Sequence, residues 1–374
     1  MIVRKLLLIT LLITSFSVGS LFGREGDKPE EFDAKTTILH HVLDTHDWHI
    51  TDIPSGDGYK AIALHLPWFF YSSQDGFQFV GSTEGLVEKG YMAFHDHLYP
   101  LKDGVSVPMD DHGHPDFTDK EFEEWEKENI DHEHAVYDLS ITKASLHMLL
   151  VGIVMLFIFN AVAKGYRKNK GKAPSGIQSF FEPIIIFVRD EIAKPYLHNK
   201  AAGFLPYLLS LFFFIWFANL FGLTPFNSNV MGNISVTAAL ALLTFILVNV
   251  NANKDYWIHI FNTPGVPWWL KFGLPLMPIV EVIGVFTKPF ALMIRLFANI
   301  SAGHFMVLSL ICMMFILGKN GQQPGGAFAI MPISIGFTIA IYVLEVVVAI
   351  IQAYIFTLLT AVFIGMAVEE HDHH

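Results

Sequence analysis

Cysteine occurs once in the 374 residues, as Cys312 in the middle of an apolar run. That excludes an intramolecular disulfide framework and a cysteine-built metal cluster. Charge is sparse as well: 16% of residues are Asp, Glu, Lys or Arg against 52% hydrophobic ones, and the mean hydropathy is +0.44. This is the profile of a polytopic membrane protein and not of a soluble one. No GxxxxGK[ST] phosphate loop and no nucleophile motif occurs, so any nucleotide chemistry belongs to partners. A basic patch with interleaved aromatics is missing too, which leaves no basis for nucleic-acid binding.

What charge there is lies unevenly. Residues 24–140 hold 26 acidic and 8 basic side chains and 11 of the 18 histidines, while the remaining chain is mildly basic. The chain is thus an acidic polar part joined to a membrane part. The first 23 residues, MIVRKLLLITLLITSFSVGSLFG, place Arg4 and Lys5 before an apolar core and small residues after it, the order of a secretory signal peptide with cleavage near Ser20 to Gly23. An uncleaved anchor helix fits the same residues. Either reading puts residues 24–140 outside the cytoplasm as a small extracytoplasmic domain.

Within that domain, YKAIALHLPWFFYSS and GFQFVGS have the composition of short strands. DKEFEEWEKENIDHEHAVYD reads as an exposed acidic helix. The clusters DDHGHPD and DHEH carry imidazole and carboxylate groups suited to zinc or nickel, but nothing nearby completes a second shell, and a solvated linker is the plainer reading. No metal site is assigned.

Apolar runs long enough to span occur at about 144–163, 203–222 and 234–250. KGYRKNKGK follows the first, and five basic residues in nine mark that loop as cytoplasmic. SFFEPIIIFVRDEIAKPYLHNK intersperses charge among apolar residues as a surface-lying amphipathic helix does, and Trp257, Trp268 and Trp269 suit a headgroup region. The last two runs, 274–318 and 329–368, are twice the roughly 20 residues a crossing requires, so as helices they must be kinked, broken or strongly tilted. GKNGQQPGG between them makes a hairpin, and residues 369–374 form a short cytoplasmic tail.

Ionisable and amide groups lie inside that hairpin. Glu281, Lys288 and Arg295 are seven residues apart and Asn299 follows four later, so they share one stripe, while His304 falls on roughly the opposite side. Glu345 and Gln352 are likewise seven apart on the second run. Asn219 and Asn233 are further polar groups in or beside the spans. An arginine cannot shed its proton to enter lipid, and clusters of this kind mark ion paths by default. Structural pairing, Arg295 with Glu345 for instance, is the alternative.

These residues resemble subunit a of the rotary F-type ATP synthases. RLFAN at 295–299 with AG at 302–303, LEVVVAIIQAYIFTLLT at 344–360, FFEPIIIFVRDEIAKP at 180–195, LLSLFFFIWFANLFGLTPF at 208–226 and NISVTAALAL at 233–242 follow the family's order. The resemblance covers about 175–368. It implies an all-α polytopic membrane protein whose long-helix hairpin lies tilted beside a rotor ring of small c subunits, each with a membrane-buried carboxylate. Arg295 would face that ring and separate two half-channels. Glu345 and His304 would be half-channel residues, Gln352 and Asn299 polar neighbours of the arginine. Asn219, Asn233, Glu281 and Lys288 would be channel-lining or structural. In several bacterial relatives the carboxylate and imidazole stand the other way round from His304 and Glu345. No cofactor is implied. The implied partners are the c-ring, a b-subunit peripheral stalk, the F1 sector indirectly, and lipid. The implied location is a bacterial inner membrane with the N-terminal domain periplasmic. A self-contained proton-coupled transporter is the competing reading, though no internal repeat supports it.

Overall fold

The structure is a computed structural model that describes residues 47–369 apart from 56–57, 95–96, 103, 110–114, 116, 118, 133, 225–229, 262–275 and 319–323. The signal-like segment, nearly all of DDHGHPD, Trp268, Trp269, most of the hairpin turn and residues 370–374 lie outside the described residues. The chain divides into two compact bodies, the first reaching His147 and the second running from Met148.

The first body opens with an antiparallel hairpin of β1 (Asp47–Ser55) and β2 (Gly58–His65). Then β3 (Trp68–Ser72) pairs with β4 (Gly76–Val80) on one side and with β7 (Val136–Asp138) on the other, all antiparallel. The period-two side-chain alternation of a strand sends Trp68, Phe70 and Ser72 inward and leaves Phe69 and Tyr71 exposed. Helix α1 (Thr83–Glu88) starts at Ser82, whose Oγ accepts from the Gly85 N–H at 3.2 Å. Its Leu86 joins Trp68, Phe70, Val80 and Tyr91 in a small core. The Tyr91 hydroxyl donates to Asp75 at 2.6 Å, and burial together with that carboxylate pushes the phenol above its ordinary pKa.

A second small core lies under β5 (Tyr91–Phe94), β6 (His97–Pro100) and α2 (Asp119–Asn129), where Phe94 stacks on Phe122 at 4.0 Å between ring centroids. The acidic helix expected over residues 119–138 therefore needs correction. It stops at Asn129, buries Phe122 and gives way to β7. An amphipathic face, not a fully solvated one, holds it.

The second body is helical. Helix α3 (Lys143–Lys168), whose first turn belongs to the first body, ends in Arg167 and Lys168. Next, α4 (Ile177–Phe187) runs through a π turn (Val188–Ala193) into α5 (Lys194–Leu197), followed by α6 (Ala201–Gly222). Helix α7 (Ile234–Val250) meets α8 (Lys254–Phe261) at a 101° bend. Two long helices close the chain, α9 (Leu276–Gly318) and α10 (Pro324–Val368). Among the described residues four helices are long and apolar enough to cross a membrane, five if the bent pair counts as one span.

Helix α9 has 43 residues and α10 has 45. At 1.5 Å per residue they are about 64 and 67 Å long against a hydrocarbon core of about 30 Å. Of the routes open to such runs, breaking is not taken: each helix is continuous through an internal proline, Pro289 or Pro332.

Lipid is as apolar as leucine, so helix association here rests on close packing and polar ties. The aromatic centre is Phe181, Phe213, Trp216 and Phe217, with Phe159 edge-on to Phe213 at 4.7 Å. Tyr207 and Thr244 join α6 to α7 through their hydroxyls at 3.1 Å. The end of α10 is held from two sides. Lys200 Nζ and Asn253 Nδ2 donate to the Val368 carbonyl at 2.9 and 2.8 Å, and the Asn253 N–H donates to the Ala367 carbonyl at 2.8 Å. These bonds satisfy carbonyls that a helix end leaves open.

Candidate functional site

Helix α9 presents two faces. Leu292, Leu296, Ile300, Ser301 and Val307 are buried, whereas Ala291, Arg295, Ala298, Asn299 and Ala302 are exposed. The arginine therefore stands on an outer helix face, flanked by three alanines that leave its guanidinium proud of the surface. Among the described residues it has no ion pair or hydrogen bond. The alternative of an Arg295–Glu345 pair is not realised.

Glu345 sits on α10 and is only 6% exposed. Both of its carboxylate oxygens lack a hydrogen-bond partner among the described residues. Its seat is Gly303: a Cβ on that glycine would meet the carboxylate, with Glu345 Cδ at 2.8 Å and Cγ at 3.1 Å. The sequence Ala302-Gly303 thus makes room for an acid from the neighbouring helix. His304, next along α9, is partly buried. Gln352, two turns beyond Glu345 on the same helical face, is 4% exposed.

Buried polar groups are ordinarily hydrogen-bonded, so those left open within the chain are places where water or a partner would be accommodated. Asn219 is one, buried in α6 with both amide atoms unsatisfied among the described residues. Ser301, Thr357 and Thr360 each carry an unsatisfied buried hydroxyl. Sequence reading passed over these three, since a hydroxyl in an apolar run usually returns its proton to its own helix. Gly303 was legible only as part of a motif.

The remaining polar residues go elsewhere. Asn233 caps α7, its Oδ1 accepting from the Ser235 N–H at 2.9 Å. Lys288 lies over the Phe363 ring of α10 at 5.6 Å, a cation–π contact, beside a small cavity also lined by Thr244, Asn249 and Tyr256. Glu281, seven residues and about two turns before Lys288 on the same helix, is partly buried. The hairpin is further tied by Ser334, whose hydroxyl donates to the Leu310 carbonyl.

An exposed arginine within one membrane-length helix and a buried, unpaired carboxylate on the next are the marks of the class of ion-translocating polytopic membrane proteins. Comparison with known proteins narrows it. The family described as "ATP synthase A chain" matches residues 145–365. "ATP synthase subunit a" of Chloroherpeton thalassium is 39% identical over 243 residues, 63% of this chain and 69% of that protein. "ATP synthase subunit a 2" of Chlorobaculum tepidum is 40% identical over 260 residues, 68% and 70% of the two chains. "ATP synthase subunit a" of Anaeromyxobacter dehalogenans is 41% identical over 244 residues, 63% and 60%. The chain belongs to the ATP synthase A chain family. A second family, described as a domain of unknown function (DUF8433), matches residues 37–139.

Proposed function

We propose that this chain is the membrane stator subunit of a rotary F-type ATP synthase, with Arg295 separating two half-channels that pass protons to and from the carboxylates of a c-ring. The observation that carries the reading is that Arg295 is exposed and unpaired on α9 while Glu345, on α10, is buried and unpaired against Gly303, eight residues farther along α9. A free guanidinium on an outer face has its partner outside the chain. A ring carboxylate passing it would be held ionised by Coulomb attraction, releasing its proton into one path before the other supplies a new one. Because arginine stays charged, no proton relays through it from path to path.

Alanines at 291, 298 and 302 let a neighbouring helix approach Arg295 closely. Glu345 and His304 serve a half-channel, with Gln352 and Asn299 as polar neighbours of the arginine. Asn219, Ser301, Thr357 and Thr360 are buried polar groups that water in such a half-channel would satisfy. Glu281 and Lys288 are channel-lining or structural, and Asn233 keeps a capping role. No bond chemistry is done by this chain alone.

The basic residues after α3 support a cytoplasmic loop there, with residues 24–140 on the periplasmic side of a bacterial inner membrane. The c-ring is the direct partner; the b subunits and the F1 sector complete the machine. An internal Arg295–Glu345 switch, as a self-contained transporter would use, has no support from a hairpin in which the two do not pair.

Gentle-detergent purification of the tagged chain from its own membranes, with identification of the peptides that remain bound, tests this. Recovery of a small ring-forming proteolipid with soluble nucleotide-binding subunits is the expected result. A chain that runs alone where other large complexes survive would refute it.

A further inference from the structure

The three-stranded sheet of the first body has a second face that no core covers. Phe69 and Tyr71 on β3, Phe77 and Phe79 on β4 and Tyr137 on β7 all point outward and are 38–67% exposed. The strand register puts Phe69 opposite Phe79, and Tyr71 opposite both Phe77 and Tyr137. Phe77 stacks on Phe69 at 5.8 Å and meets Tyr71 edge-on at 5.0 Å, so the rings form one surface. None of the five carries charge, within a segment holding 26 acidic and 8 basic side chains. A contiguous aromatic face of this kind is a docking surface in soluble terms.

The chain itself indicates what covers it. Exposed apolar residues follow Tyr137 in the sequence at Leu139 and Ile141, just before α3, which among the described residues is the first helix long and apolar enough to cross a membrane. The connection is short and tied down: the Leu139 N–H donates to the Phe69 carbonyl at 2.9 Å, and Ser140 Oγ accepts from the Phe69 N–H at 2.9 Å. The first turn of α3 belongs to the same compact body as the sheet. Four residues separate β7 from α3, so Tyr137 lies within about 20 Å of the helix start even if the chain is fully drawn out.

We propose that the outer face of the β4–β3–β7 sheet rests in the lipid headgroup region of the leaflet at which α3 enters, making the domain that precedes the membrane helices a membrane-seated one. Aromatic rings suit that zone: tyrosine presents a hydroxyl to headgroups while phenylalanine fills the acyl boundary. The domain's strong negative charge excludes attraction by anionic lipid as the driving force. Apolar burial seats it, with weak dependence on salt.

The test uses the assembled complex reconstituted in phosphatidylcholine vesicles. A nitroxide is attached at Phe77→Cys, at Tyr137→Cys and, as a solvent reference, at Glu123→Cys on the exposed side of α2. The unsubstituted chain is the labelling blank, because its one cysteine, Cys312, is buried. Dissolved oxygen, which concentrates in lipid, should relax the labels at 77 and 137 more than a water-soluble nickel chelate does, with the ratio reversed at 123. Adding Phe79→Glu should return the label at 77 towards the ratio found at 123. Equal access of the chelate to 77 and 123 would overturn the proposal, as would exclusion of both reagents from 77, which means a protein partner occupies the face.

Discussion

Gly303 on α9 and Glu345 on α10 fit each other: the missing side chain of one is the space taken by the carboxylate of the other, with Cδ 2.8 Å from where a Cβ would stand. Gly303→Ala must therefore displace the acid or spread the helices, an overpacking cost of about 1–3 kcal/mol. ATP-driven proton pumping in inverted vesicles should fall, and the double variant Gly303→Ala/Glu345→Asp, one methylene shorter at the acid, should regain part of it. A fully active Gly303→Ala would show that the seat is dispensable.

Glu345→Gln keeps the shape and removes the exchangeable carboxyl proton. Pumping should slow without stopping, and the complex should still assemble. Coupling indistinguishable from the parent across a wide pH range would count against a channel role for this residue.

The end of α10 depends on two donors from distant parts of the chain. Asn253→Ala removes a hydrogen bond to Val368 and should cost about 0.5–1.5 kcal/mol. The reading is faster proteolysis near the C-terminus of the purified complex. Adding Lys200→Ala, which removes the second donor, should accelerate it further.

Inside and outside of the sheet domain should respond oppositely. Phe70 is fully buried, and Phe70→Ala should destabilise that body by about 3–5 kcal/mol, read as accelerated proteolysis between residues 66 and 138. Phe77→Ser, at 67% exposure, should leave the proteolysis rate in detergent close to that of the parent.

Helices were legible because apolar length alone specifies them in lipid, where every backbone group must be satisfied within the segment. The strands around Phe69 and Phe77 were legible from their aromatic composition. Residues 130–138 were not, because β7 takes its structure from a partner remote in sequence, Phe70 opposite Asp138, that local charge cannot reveal. Arg295 and Glu345 stood out since buried charge in lipid is expensive and rare. Their separation did not, because helical spacing fixes the face on one helix but not the register between two. The same gap hid Gly303, Thr357 and Thr360, and it left Lys288 on Arg295's stripe when its amine in fact lies over Phe363.

The most direct test of the central claim is Arg295→Ala in the complete complex, assayed for ATP-driven proton uptake beside a measure of assembly. Lost pumping in an intact complex, with passive proton leak through the membrane sector raised, is the predicted result. Full pumping by that variant would contradict the role of Arg295 as the barrier between the two paths.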